Sequence, residues 1–378
     1  MRVLHVVDSL AGSGGAERGL VREIKRFDDD IEQVVVRLFE RDELEHQLTD
    51  AGIRVIPLGF KAASASRTIP LAALSLARVI RAERPDVVHT SLFTGNLVGQ
   101  IAARLTRTPV VSTVVLSGDV ALLKATQPGA ASRKATLMRW LASIVARWSK
   151  ATFRALTEDA RQTNSQLLGI EPATVTVIPR GAPEPVTDPM SRSELGLPED
   201  IPLAVNVARL AAQKGQVLLL RAFAIAAERH PSVHLVIVGR GGDAEQAVRA
   251  EIQSLGLEER VTLLGYTPHA RHVLSHASVF VFTSLMEGLG TAVLEALAAG
   301  IPVVAFDIPP VREATDDGKA AHLVPQGNVA GIADGIVDAL NGRLNEQVAR
   351  GAEYIASRGD LDAIAGRLED LIRSAASS

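Results

Sequence analysis

The stretch "VFVFTSLMEGLGTAVLEALAAGIPVVAFD", residues 279–307, decides the fold class. A β-branched and aromatic run ends at Ser284, and a glycine-containing turn leads into an apolar, helix-length segment from Thr291. Gly300 stops that segment as a helix C-cap residue, and a second apolar run starts at Pro302. Strand, crossover helix and strand in so short a span make a parallel unit, whose sheet must be covered on both faces.

The same alternation fills the chain. In the first half the apolar runs are "RVLHVV", "QVVVRL", "IRVIPL", "DVVHTS", "PVVSTVV", "ATFRAL" and "TVTVIP". In the second they are "PLAVNVA", "HLVIVG", "RVTLLG", "VFVFTS", "PVVAFD" and "AAHLVP". Between the halves, Pro183, Pro185, Pro189, Pro198 and Pro202 read as a linker. We therefore expect an α/β protein of two doubly wound domains, residues 1–182 and 183–359, followed by a C-terminal helix within 360–378. Doubly wound sheets bind ligands beyond the carboxyl ends of their strands, which makes a cleft between the domains the default site.

Composition narrows the class. A chain of 378 residues with 47% apolar and 22% charged residues is a soluble globular protein long enough for two cores. A formal charge of −3 gives no general attraction to nucleic acid. The absence of cysteine excludes disulfides, thiolate catalysis and cysteine metal sites, and fits a reducing, cytoplasmic compartment. The N-terminal apolar run of about six residues falls far short of the roughly 20 that span a bilayer, so it reads as a first strand.

Two glutamates stand out in the opening stretch. The segment after Thr291 is apolar almost all round, yet it holds Glu295, eight positions after Glu287. A buried carboxylate needs a partner. The N–H groups of Gly288, Leu289, Gly290 and Thr291 would point out of the helix N-terminus with the positive end of its dipole behind them, an arrangement that suits a diphosphate. Carboxylates beside phosphate would repel it, so Glu287 and Glu295 suit neutral sugar hydroxyls instead. Arg209 and Lys214 of "VNVARLAAQKG" supply cations for the phosphate, through charge-assisted bonds of roughly 1.5 to 3 kcal/mol each. An earlier loop, "DSLAGSGGAERG", brings Gly12, Gly14 and Gly15 before a helix. Glu17 occupies the third glycine position of a dinucleotide fingerprint, which disfavours a nicotinamide cofactor. A glycine turn needed only for chain geometry is the alternative.

These motifs resemble the family 4 glycosyltransferases: "EGLGTAVLE" with its two glutamates, the "ARLAAQKG" loop, the "GSGGAE" loop and the late "PPVREATDDGKAAHLVPQGN", all in family order. The resemblance covers nearly the whole chain. It implies the GT-B fold, two Rossmann-like domains facing across a cleft, with the last helix crossing back to the N-terminal domain. It also implies a retaining hexosyltransferase-type enzyme that needs no metal or other cofactor. The substrates would be a nucleoside-diphosphate sugar and a glycan, lipid-linked or small-molecule acceptor. Arg209 and Lys214 would bind the diphosphate together with Gly14, Gly15 and the amides of residues 288–291. Glu295 would hold the donor ribose, and Glu287 would act at the transferred sugar. The family usually places a histidine after the fifth strand, where "PVVSTVVLSGD" has Val115. Ser117 and Asp119 are the nearest polar residues, and Asp119 is the catalytic candidate to replace it. A nucleotide-sugar 2-epimerase and a non-catalytic nucleotide-sugar-binding subunit are the alternatives. The first is disfavoured by the intact glutamate pair, the second motivated by Val115.

Other features have plainer readings. "DDD" at 28–30 precedes a strand and so lies on the wrong edge for a catalytic metal, and His269, His272 and His276 lack a nearby carboxylate. No metal is expected. His89, ending "DVVH", would lie on the acceptor side of the cleft; a satisfied structural histidine is the other reading. From Val120 to Thr157, Asp and Glu are absent while Lys124, Arg133, Lys134, Arg139, Arg147, Lys150 and Arg154 occur. Leu137, Leu141, Ile144 and Trp148 would form one helical face there. Residues 133–150 then read either as a peripheral contact with an anionic membrane, on its cytoplasmic face, or as a core helix.

Overall fold

Each of those apolar runs is a strand. In the computed structural model, which describes residues 1–12, 15–61, 65–115, 133–181, 186–358 and 361–377, the strands form two parallel sheets. The first half contains β1 (Arg2–Val7), α1 (Gly15–Ile24), β2 (Glu32–Phe39), α2 (Glu45–Thr49), β3 (Arg54–Phe60), α3 (Ala65–Glu83) and β4 (Val87–Ser91). It continues with α4 (Phe93–Thr106), β5 (Val110–Val114), α5 (Arg133–Ser149), β6 (Thr152–Ala155), α6 (Glu158–Leu168) and β7 (Val175–Val177). The second half contains β8 (Leu203–Val207), α7 (Gln216–Arg229), β9 (His234–Val238), α8 (Glu245–Ser254), β10 (Val261–Gly265), α9 (Ala270–Leu274) and β11 (Val279–Phe282). After these come α10 (Thr291–Ala298), β12 (Val303–Asp307), α11 (Pro309–Ala314), β13 (His322–Pro325), α12 (Val329–Leu340), α13 (Asn345–Ser357) and α14 (Leu361–Ala376).

The strand orders are β3-β2-β1-β4-β5-β6-β7 and β10-β9-β8-β11-β12-β13. Period-two alternation splits the side chains of the first sheet between two layers. Val3, Val7, Val35, Val87 and Val111 pack under α1 and α14, whereas Leu4, Val6, Val36, Val88 and Val110 pack under α3, α4 and α5. The second sheet has its own core, in which Phe223 of α7 and Ile332 and Ile336 of α12 meet Leu235, Val281 and Phe306.

The helix α14 belongs to the first of the two compact units, and residues 186–358 make up the second. Ala365, Leu368, Ile372 and Ala375 complete the core around Val3, Leu20 and Ile24. Burying Leu368 and Ile372 contributes about 1.5–3 kcal/mol each. Polar contacts fix the register of this helix. Arg26 pairs with Asp362, the Asp28 N–H donates to Glu369 Oε2 at 3.0 Å, and Arg373 lies 2.5 Å from Asp30 and 2.7 Å from Glu369. The acidic run at 28–30 is thus a docking ground for α14. Asp28, Asp30 and Glu369 do bring carboxylate oxygens within 4.8 Å of one another, with Arg373 paired to all three.

Candidate active site

Each sheet reverses its strand order beside its first strand, between β1 and β4 and between β8 and β11. Ligands of doubly wound sheets bind beyond the carboxyl ends of the strands at such points. The loops after β8 and β11 carry the sequence candidates of the second unit.

Arg209 is exposed on a loop whose backbone is held from two sides. Gly239 and Gly242, in "GRGGD" after β9, have φ of +140° and +134°. A Cβ on Gly239 would lie 2.0 Å from the Ala208 carbonyl oxygen, and one on Gly242 would lie 2.1 Å from that of Leu210. Two glycines therefore clamp the residues on either side of Arg209, in a conformation and a space closed to other side chains. The Gln216 side-chain amide donates to the Arg209 carbonyl at 2.8 Å, the Ala244 N–H to Leu210 at 3.0 Å, and the Ala212 N–H to Asp243 at 2.9 Å. The far end of the loop is pressed onto the end of β11. Gly215 has φ +65°, and a Cβ there would lie 2.1 Å from the Thr283 carbonyl oxygen.

That approach brings Lys214 to Glu287. The Nζ lies 2.5 Å from Glu287 Oε1, with the two side chains 14% and 10% exposed. The sequence reading assigned these residues to different parts of a ligand, and the structure places them in direct contact. Buried Met286 and Leu289 pin the intervening loop, and Gly290, with φ +76°, turns it into α10. The Val293 N–H donates to the Gly290 carbonyl at 2.8 Å, while the earlier amides of α10, which have no acceptor within the helix, carry the positive end of its dipole. Ser284 Oγ, two residues past β11, is buried without a hydrogen-bond partner among the described residues.

Glu295 is reconciled with its apolar helix by geometry. Val293, Leu294, Ala296 and Leu297 are buried, while Thr291 and Glu295, four residues apart on one flank, are half-buried. The carboxylate stands on the flank that begins at the helix N-terminus.

In the first unit, Gly15 opens α1, and its carbonyl accepts from Arg180 Nη1 at 3.0 Å. Arg180 is 3% exposed and crosses Gly19, where a Cβ would lie 2.4 Å from its Nη1. It shares Glu23 with the fully buried Arg154, which grips that carboxylate at 2.6 and 3.1 Å. Burial pushes the Arg180 guanidinium down to about 10. Gly14 and Asp119 lie outside the described residues, as do Ser117 and Lys124. Val115 is half-buried just past β5.

His89, expected on the acceptor side, is 1% exposed inside β4. Its Nδ1 lies 3.0 Å from His5 Nδ1, and its Nε2 lies 2.9 Å from Thr113 Oγ1. With both ring nitrogens engaged it offers nothing to a ligand, and the structural reading fits. The sequence reading missed Asp8, which directly follows β1 at the strand-order reversal. Burial raises its carboxyl to about 6, against the opposing effect of the Gly95 and Thr94 N–H groups at the start of α4. Leu92, before that helix, has φ +69° and ψ 167°. Such a conformation costs a non-glycine residue about 1–3 kcal/mol and concentrates at functional sites.

The histidines of "HARHVLSH" have a backbone task. His272 Nδ1 accepts from the Met190 N–H at 3.1 Å, and His276 Nε2 donates to the Met190 carbonyl at 2.7 Å. They anchor the proline-rich connection, and His269 packs edge-on against His272.

The halves match family models described as "Glycosyl transferase 4-like domain", over residues 14–181, and "Glycosyl transferases group 1", over residues 188–358. A D-inositol 3-phosphate glycosyltransferase of Acidothermus cellulolyticus is 31% identical over 306 residues, 75% of this chain and 67% of that protein. The chain belongs to the family 4 glycosyltransferases. An uncharacterized glycosyltransferase of Methanocaldococcus jannaschii is 35% identical over 120 residues, 32% of this chain, a match spanning only 29% of that protein's length. Among solved structures, Anabaena HepE in complex with UDP superimposes with a TM-score of 0.79 at 22% identity, covering 99% of this glycosyltransferase and 100% of HepE. That likeness and the two parallel sheets give the GT-B fold of two Rossmann-like domains. No helix among the described residues is long and apolar enough to cross a membrane.

Proposed function

We propose that this glycosyltransferase moves a sugar from a nucleoside-diphosphate sugar to a glycan, lipid or small-molecule acceptor, with retention of anomeric configuration and without a metal ion. The observation that carries the reading is the contact of Lys214 with Glu287 at the β8/β11 reversal, between the loop after β8 that also carries Arg209 and the loop that opens α10. HepE, which shares the fold, has been captured with UDP and with UDP-glucose.

As the bond from sugar to phosphate breaks, negative charge collects on the leaving diphosphate. Arg209, Lys214 and the amides of residues 288–291 would meet it, in the role that a magnesium ion plays elsewhere. Glu295 would accept hydrogen bonds from the ribose, and Glu287 would act at the transferred sugar beside the cation it already touches. Gly14 and Gly15 would bring backbone to the donor, and Asp119 would face the developing positive charge on the sugar. A peripheral contact of residues 133–150 with an anionic membrane belongs to the same reading.

A thermal-shift panel of nucleotides and nucleotide sugars tests donor binding. A ligand at 100 times its dissociation constant should add about 2.7 kcal/mol of stability. Product analysis in EDTA then tests the reaction. Transfer with retention is expected, activity that stops with chelator and returns with Mg²⁺ removes the metal-independent reading, and tight binding without any transfer leaves the binding-subunit reading.

A further inference from the structure

Arg209 is exposed, and its guanidinium makes no hydrogen bond or ion pair among the described residues. Lys214, by contrast, is held at its charged end by Glu287. The aim of Arg209 is therefore set by its backbone.

That backbone is pinned on both sides. Before Arg209, the Ala208 N–H donates to the Val238 carbonyl at 2.9 Å, which ties the chain to β9. After it, the Arg209 carbonyl accepts two hydrogen bonds, from the Ala211 N–H at 2.9 Å and from Gln216 Nε2 at 2.8 Å. The first closes a three-residue turn at Leu210. The second comes from the opening residue of α7 and takes the carbonyl's other lone pair. Two N–H groups from different directions thus fix the plane of the peptide group that follows Arg209.

As a purely structural residue Gln216 is a poor choice. It is 1% exposed, and its Oε1 is buried without a hydrogen-bond partner among the described residues. An unpaired buried acceptor destabilises a fold, and an apolar side chain of the same length would avoid it. Asn206 repeats the pattern, equally buried, with Nδ2 donating to the Val281 carbonyl at 2.8 Å and Oδ1 unpartnered. Thr283 Oγ1, also buried, donates to the Gly215 carbonyl at 3.1 Å. Ala204 and Val281 lie in the core under α7, and period-two alternation puts Asn206 and Thr283 on that same face. Buried polar groups therefore underlie the loop of Arg209 and Lys214 where an ordinary core would be apolar. Departures of this kind gather at functional sites.

We propose that Gln216 is a positioning residue for the donor diphosphate, holding the Arg209 backbone so that the guanidinium meets phosphate. The proposal rests on the reading of Arg209 as a phosphate ligand. Buried under the loop, Gln216 acts through Arg209.

Calorimetry with UDP, GDP and ADP on the full chain tests it, in Gln216→Met, Arg209→Ala and the double variant. Methionine keeps the length of the side chain and removes both the N–H group and the unpaired oxygen, while the Ala211 N–H still closes the turn. Gln216→Met should therefore denature at or above the wild-type temperature, yet bind the preferred nucleotide about fivefold or more weakly. In the Arg209→Ala background the same substitution should change affinity by less than about twofold, because the group that it aims is gone. Equal losses in both backgrounds overturn the proposal, and with a lowered denaturation temperature they make Gln216 a structural residue only. Unchanged affinity in Gln216→Met, while Arg209→Ala binds weakly, overturns it and leaves the phosphate reading standing. If Arg209→Ala binds as tightly as wild type, or wild type binds none of the three nucleotides, the phosphate reading itself fails and the proposal falls with it.

Discussion

Lys214 Nζ and Glu287 Oε1 are 2.5 Å apart, so a phosphate that binds this lysine must share it with a carboxylate already in place. Removing the charge of Glu287 frees the lysine for phosphate and removes a group from the sugar side. In Glu287→Gln, nucleoside-diphosphate affinity should hold or rise by up to about tenfold, while turnover falls at least a hundredfold, about 2.7 kcal/mol of barrier. Calorimetry and initial rates on one preparation check the split; a parallel fall in both would place Glu287 in donor binding alone.

Lys214→Ala and Arg209→Ala should each weaken nucleoside-diphosphate binding at least tenfold, or about 1.4 kcal/mol. Unchanged affinity in both variants would remove the phosphate assignment.

Gly239 and Gly242 offer a way to move Arg209 without changing it. Alanine at either position meets a carbonyl at 2.0 or 2.1 Å and a backbone angle it resists. Gly242→Ala should lower stability by at least about 2 kcal/mol and weaken nucleoside-diphosphate binding, although it removes no side chain from the site. Denaturant titration and calorimetry measure both.

The buried histidines make the first unit sensitive to acid. At 3.0 Å between two Nδ1 atoms, one ring must donate and the other accept, and protonating the acceptor sets two N–H groups against each other. Burial lowers His5 to about 4 and His89 well below its ordinary value. Lowered folded-state values mean stability is fully present above pH 6.5 and is lost as pH falls toward 4. The loss is roughly 3 kcal/mol for His5 alone. Asp8, raised to about 6, acts in the opposite sense over part of that window and offsets some of it. The denaturation midpoint should fall between pH 7 and pH 4.5, and His89→Gln should flatten that slope; a pH-independent midpoint would contradict the assignment.

Glu23 serves two buried arginines. Glu23→Gln should destabilise the protein by about 3–5 kcal/mol, because the guanidiniums remain without their counter-charge. A midpoint within error of wild type would show that the cluster relaxes or hydrates.

Local patterns in the chain were legible because they are enforced locally. Runs such as "IRVIPL" and "ATFRAL" became β3 and β6, and the helix after "EGLG" begins at Thr291 as the glycines indicate and ends at Ala298. Contacts between distant residues were not. His5 and His89 are 84 positions apart, and nothing in either neighbourhood announces the pair. Arg154, read as one more charge in a basic tract, is buried against Glu23, 131 positions away. The contact of Lys214 with Glu287 required knowing that Gly215 would close on Thr283, which is a matter of sheet order and not of spacing.

The place of α14 has a consequence for how the chain is made. Strands β1–β7 leave the ribosome with one face of their sheet covered only in part, by α1, since Leu368 and Ile372 of α14 are encoded nearly two hundred codons after β7. At about 5–20 residues per second, that face waits on the order of ten to forty seconds for the rest of its cover. The first unit to be synthesised is therefore the last to be finished, and the part of its Val-rich face that α14 covers is open to chaperones throughout the synthesis of the second.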